Sequence, residues 1–199
     1  NGNGSVLKLP TDLGITTTGE SNTMFYVDKP VKVIFENITF DADYFNQSEI
    51  HNGGSFLKIY KPILANGEMT HVTFKNCHFV NNNYSTILSY GSGKRDRIFI
   101  NVLDCVFGGG AKGTTQTAIP TKWAHGYSPN YMNIIDGATV HVRGNKFFDP
   151  ILPNNVDNFG REGIKGTVTN TSTIEASDAL GSSFYIVNNV FENLGRNAS

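Results

Sequence analysis

The sequence predicts an all-β solenoid, a stack of about five parallel coils in one domain. Three observations predict it. An eight-residue pattern recurs as VIFENITF (33–40), VTFKNCHF (72–79), INVLDCVF (100–107), VHVRGNKF (140–147) and FYIVNNVF (184–191). Each copy is apolar at its first and third positions, has Asn, Asp or Gly at the fifth, and ends in Phe. The closing phenylalanines lie 39, 28, 40 and 44 residues apart, a range that marks stacked supersecondary units. The copies also alternate with period two and are rich in Val, Ile, Phe and Tyr, which favours strand over helix.

A second apolar run precedes each copy: MFYV (24–27), FLKIY (56–60), TILSY (86–90), MNII (132–135) and TIEA (173–176). Each coil therefore holds at least two strands joined by a turn. The shortest interval fits one turn of a three-sided coil. Coils stack at about 4.8 Å, so five make a rod about 25 Å long. Phe40, Phe79, Phe107, Phe147 and Phe191 should form an interior ladder, each worth roughly 1.5–3 kcal/mol by transfer. The fifth positions, Asn37, Asn76, Asp104, Gly144 and Asn188, should form the turn, because these residue types tolerate a left-handed backbone.

The motifs VTFKNCHF and FYIVNNVFENLG resemble the coil repeat of the pectin-lyase-like superfamily, over roughly residues 20–195. The resemblance implies a right-handed parallel β-helix. It also implies an extracellular, cell-surface or virion-surface setting. Function is more open, since the superfamily holds polysaccharide lyases, glycoside hydrolases, epimerases, bacterial surface proteins and phage tailspikes. A tailspike-like chain would be a homotrimer.

Composition agrees. A length of 199 residues suits one domain, here 1–199, with 1–20 read as an incomplete first coil. The chain starts at Asn and has no signal peptide, so we read it as a mature or excised piece of a longer protein. Net charge is −1 without a basic stripe, which gives no electrostatic footprint for nucleic acid. No apolar run is long enough to span a bilayer.

Cys77 and Cys105 occupy the same motif position, in the series Ile38, Cys77, Cys105, Asn145 and Asn189. Stacking puts their Cα atoms about 4.8 Å apart, within disulfide range, but parallel Cβ vectors leave the β-carbons farther apart than a relaxed bridge wants. Two free thiols acting as small packing groups are expected. Two thiols do not make a metal site. Asn37 lies in a glycosylation sequon, and a glycan there would obstruct stacking, which favours a bacterial or viral origin.

Function is sought in three long insertions, 41–55, 108–131 and 149–171, which should gather along one edge. Loops on a rigid scaffold commonly carry binding residues. Trp123, Tyr127, Tyr131 and Tyr44 are the candidate substrate-binding residues, because aromatic rings can stack on sugars while polar groups take the hydroxyls. The alternatives are that these aromatics pin the loop to the solenoid wall, or that they anchor a protein interface.

Stacking also predicts two outward columns: Ile34, Thr73, Asn101, His141 and Tyr185, then Glu36, Lys75, Leu103, Arg143 and Val187. Lys75, His141 and Arg143 are the candidate catalytic residues. Arg can hold a uronate carboxylate bidentately, and Lys or His can remove a proton. Glu36 and Lys75 can instead form a surface pair worth little. For a hydrolase, Asp41 with Asp43, and Asp149, Asp157 and Glu162, are candidate acids. None forms a polygalacturonase-like signature; Ala124-His125-Gly126 and Gly163-Ile164-Lys165 are partial echoes. The repeats show no acidic ladder for Ca²⁺, and no cofactor is expected. The functional expectation is recognition of an extracellular polysaccharide, with lyase or hydrolase activity open. The alternative is a non-catalytic structural segment of a surface protein or tailspike.

Overall fold

The computed structural model describes residues 2–8, 23–41, 55–80, 85–92, 94–108, 130–148, 162–167, 181–192 and 194. The described chain opens with β1 (Ser5–Lys8) and then repeats a three-strand unit. The units are β2 (Thr23–Val27), β3 (Lys32–Glu36) and β4 (Ile38–Asp41); β5 (Ser55–Tyr60), β6 (Thr70–Lys75) and β7 (His78–Val80); β8 (Ile87–Tyr90), β9 (Ile98–Leu103) and β10 (Val106–Phe107). They continue with β11 (Asn130–Ile135), β12 (Thr139–Arg143) and β13 (Lys146–Phe148), then β14 (Glu162–Thr167), β15 (Ser183–Val187) and β16 (Val190–Glu192).

Each strand pairs in parallel with its counterpart in the next coil, which gives three sheets. Sheet A runs β1-β4-β7-β10-β13-β16, sheet B β14-β11-β8-β5-β2, and sheet C β15-β12-β9-β6-β3. The chain is thus an all-β stack of parallel coils. Each coil has three strands because the eight-residue repeat is itself two strands around a corner. Its first four positions lie in sheet C, and its last residues lie in sheet A.

The corner residue explains the repeat. Asn37, Asn76, Asp104, Gly144 and Asn188 have φ of 58°, 49°, 53°, 69° and 55°. All are left-handed, a region that costs most residues strain and that Asn, Asp and Gly enter most readily. The residue after the corner turns inward. Cys77, Cys105 and Asn145 are at most 2% exposed. There, each coil caps the one before it. Cys77 N–H donates to Cys105 Sγ at 3.4 Å, Cys105 N–H to Asn145 Oδ1 at 2.7 Å, and Asn145 N–H to Asn189 Oδ1 at 2.9 Å. Asn145 Nδ2 also donates to Val102 O at 2.9 Å. These bonds satisfy main-chain groups that the corner takes out of the ladders.

Inside, positions one and three supply Val72, Phe74, Ile100, Val102, Val140 and Val142, all fully buried. The closing phenylalanines form the expected ladder. Successive ring centroids from Phe40 to Phe191 are 5.1, 4.6, 4.5 and 5.0 Å apart, with interplanar angles of 23° or less. Leu7 of β1 lies in register with Phe40. Phe191, on the edge strand β16, is 47% exposed. Both cysteines are free and buried, as expected.

Two expectations need correction. The strand before the fifth repeat is β14, within the stretch read as the third insertion, and TIEA (173–176) lies outside the described residues. The segment EGIKGT does not look like a strand because two of its positions are glycine. Added Cβ atoms would sit 2.8 Å from the ring of Phe191 at Gly163 and 2.8 Å from that of Phe184 at Gly166. The close approach of these rings explains glycine in a strand interior. Tyr131, in turn, is not a loop residue. It lies in β11, 1% exposed, against Phe107 and Phe147, and its hydroxyl donates to Phe148 O at 2.7 Å.

Phe107→Ala should cost about 3–5 kcal/mol in urea unfolding, as expected of a large cavity, and Phe191→Ala distinctly less. Asn145→Leu should cost about 1–3 kcal/mol for each main-chain partner left without a hydrogen bond, with the same native circular dichroism.

Candidate functional site

Sheet C presents the two expected outward columns in register. Ile34, Thr73, Asn101, His141 and Tyr185 are paired in sequence, as are Glu36, Lys75, Leu103, Arg143 and Val187. Asn101 Nδ2 donates to Thr73 Oγ1 at 3.1 Å, and the His141 ring stacks on Tyr185 at 4.6 Å and 11°. In the neighbouring column His71 stacks on Phe99 at 4.5 Å.

The three catalytic candidates are distributed as follows. His141 and Arg143 are both exposed and lie two residues apart on β12, so they share a face. Lys75 lies two strands away, with Leu103 between it and Arg143, a stacking separation of roughly 9.5 Å. Its Nζ is 2.9 Å from Glu36 Oε1. The hydrogen bond and charge of Lys75 hold the Glu36 carboxyl below its usual range, and Glu36 reciprocally raises the Lys75 ammonium. Lys75 thus belongs to an exposed ion pair.

Trp123, Tyr127 and Tyr44 lie outside the described residues, as do Asp43, Asp149, Asp157 and the side chain of Glu162. The described ends of their segments still locate one edge. The chain leaves sheet A after β4, β7, β10 and β13 and re-enters sheet B at β5, β8, β11 and β14. That corner is shared by every coil.

Sheet B, the sheet entered there, carries a side-chain group that the expectations from sequence missed. Its outward column is Tyr26, Lys58, Leu88, Asn133 and Lys165, and beside it Tyr60 pairs with Tyr90. Lys58 is only 5% exposed. Its ammonium lies 5.0 Å from the Tyr60 ring centroid and 6.0 Å from that of Tyr90. Lys61 Nζ lies 5.4 Å from the Tyr60 ring centroid. A buried cation needs compensation, and the electron-rich ring faces supply part of it. Tyr26 adds a ring 6.4 Å from Tyr60 and is 48% exposed. Further along the column, Asn133 Oδ1 is buried without a hydrogen-bond partner. Such an atom carries a desolvation cost that a donor would remove.

The signal in the sequence was Lys58 within the apolar run FLKIY, with Tyr60 and Tyr90 both closing their runs. The face can grip a flat, hydroxylated ligand: rings for stacking, an amide oxygen for a hydroxyl, and the exposed Lys61 ammonium for an acidic substituent. Among the described residues no cluster of three or more His, Cys, Asp or Glu could hold a metal. No helix among them is long and apolar enough to cross a membrane.

Comparison with protein-family models, with curated proteins and with solved structures finds no match.

Lys75→Ala should leave the unfolding midpoint close to that of the parent protein, because exposed pairs contribute little. A large loss of stability would show that the pair holds the first two coils together.

Proposed function

We propose that this chain recognises an extracellular polysaccharide, and that the outer face of sheet B is where it does so. The observation that carries the reading is the combination on one face of Tyr26, Tyr60 and Tyr90, the buried Lys58 ammonium and the unpartnered Asn133 amide oxygen. Aromatic faces bind the apolar faces of sugar rings, and a few placed polar groups set orientation. The exposed Lys61 ammonium over Tyr60 favours an acidic glycan such as a uronate polymer. The three-sheet parallel stack supports a right-handed β-helix of the pectin-lyase-like kind, a superfamily in which sugar polymers are common ligands. Its members' surface and virion settings, and a homotrimer of the tailspike sort, belong to the same proposal.

Turnover is the finer question. His141 and Arg143 share a face of β12 and would supply a base and a carboxylate partner for lyase chemistry, with Lys75 the third candidate. Lyase chemistry needs a positioned base, and Lys75 is drawn toward Glu36. Recognition is therefore the reading we prefer, with Trp123, Tyr127 and Tyr44 as additional candidate contacts.

The test is a panel of neutral and acidic polysaccharides. It follows binding, reducing ends and unsaturated-product absorbance with the parent protein and with Tyr60→Ala, Tyr90→Ala and His141→Ala. We expect acidic glycans to bind, with at least a tenfold loss of affinity in a folded Tyr60→Ala or Tyr90→Ala variant. New unsaturated ends lost in His141→Ala would move the site to sheet C. The absence of any binding would favour a structural coil stack.

A further inference from the structure

We propose that Cys77 and Cys105 form a reversible redox clamp: a disulfide that closes inside the stack and ties the second coil to the third. The two residues follow the left-handed corner in successive coils, and their strands pair in register on both sides of it. Stacked Cα atoms about 4.8 Å apart fall within the range a disulfide spans. Cys105 Sγ faces the second coil, whereas Cys77 Sγ faces the first, so the clamp closes by rotation of the Cys77 side chain. Cys77 N–H donates to Cys105 Sγ at 3.4 Å, and the Cys77 thiol lies 3.4 Å from the carbonyl oxygens of Phe35 and Lys75. The Cys105 thiol points to Leu103 O at 3.2 Å.

In the two following coils the same slot holds Asn145 and Asn189, whose amides make the hydrogen bonds that link coil to coil. A pair of adjacent thiols replaces that link between the second and third coils alone. Both side chains are buried, but the residues just before them, Asn76 and Asp104, are exposed. A small reagent therefore needs only the corner to open.

The chemistry of the pair is asymmetric. The hydrogen bond from Cys105 holds the Cys77 thiol down at about 7, and the same interaction pushes Cys105 well up. Cys77 is thus the attacking sulfur, since the thiolate is the nucleophile. Its thiolate attacks one sulfur of a small-molecule disulfide and expels the other as a thiolate, leaving a mixed disulfide on Cys77. Cys105 then gives up its proton to solvent and attacks Cys77 Sγ, which expels the second small thiolate. In balance, two cysteine thiols and one small disulfide become one protein disulfide and two small thiols. Parallel Cβ vectors leave the closed bond somewhat strained, and strained disulfides are the readily reduced ones.

The test treats the folded full chain with 2,2′-dithiodipyridine and follows released thiopyridone, intact mass and oligomeric state. The expected result is two equivalents of thiopyridone, a monomer lighter by two hydrogens with no pyridyl adduct, and full return of both thiols with dithiothreitol. Cys105→Ser should release one equivalent and keep the adduct on Cys77. Adducts retained on the parent protein, a cross-linked dimer, or no release until the chain is unfolded would each overturn the clamp.

Discussion

A left-handed residue at the corner between sheets C and A of every coil is the constraint on which the rest of this molecule depends. Asn37, Asn76, Asp104, Gly144 and Asn188 each turn the chain from sheet C into sheet A at the same place. Because the corner is fixed, the next residue always enters the interior and the closing Phe always lands on the Phe of the coil before. Parallel stacking follows, since each coil offers the same spacing of donors and acceptors to its neighbour. The corner also removes main-chain groups from the ladders, and the side chains of Cys105, Asn145 and Asn189 restore them with inter-coil hydrogen bonds. Hydrophobic burial supplies most of the stabilisation, while these buried polar bonds select one register.

Much of this was legible because the constraint acts on residue type. Only a few residues accept a positive φ readily, so the corner within the repeat stands out as Asn, Asp or Gly. Stacked phenylalanine rings fill the position-eight slot in five successive coils, so Phe recurs. The number of strands per coil was harder to read, because the corner sits within the motif and splits it into a long and a very short strand. The fifth coil hid its first strand for a steric reason. Phe184 and Phe191 press on β14, and glycine at 163 and 166 removes the usual strand signal. Tyr131 was misplaced because strand β11 begins earlier than the apolar run MNII, and a buried tyrosine with a bonded hydroxyl looks the same in sequence as an exposed one.

The candidate site was less legible than the fold. Outward positions of a solenoid carry no periodic requirement, so nothing in the repeat marks them. The columns of sheet C could be written down from register alone, and their membership holds. Their chemistry depended on pairing: Lys75 meets Glu36, whereas His141 meets Tyr185. The Lys58 group on sheet B stood in plain view as one cation in an apolar run. It reads as a site only once the register puts Tyr60 beside Tyr90, with Asn133 two strands beyond Lys58.

The central functional proposal is that the outer face of sheet B binds an acidic glycan. An NMR titration of the full chain with an acidic oligosaccharide, observed at the tyrosine ring and asparagine amide signals, tests it most directly. The account predicts saturable shifts at Tyr26, Tyr60, Tyr90 and Asn133, with Tyr185 and Asn101 on sheet C unmoved. Shifts confined to Tyr185, Asn101 and the neighbouring His141 would contradict it and make sheet C the binding face.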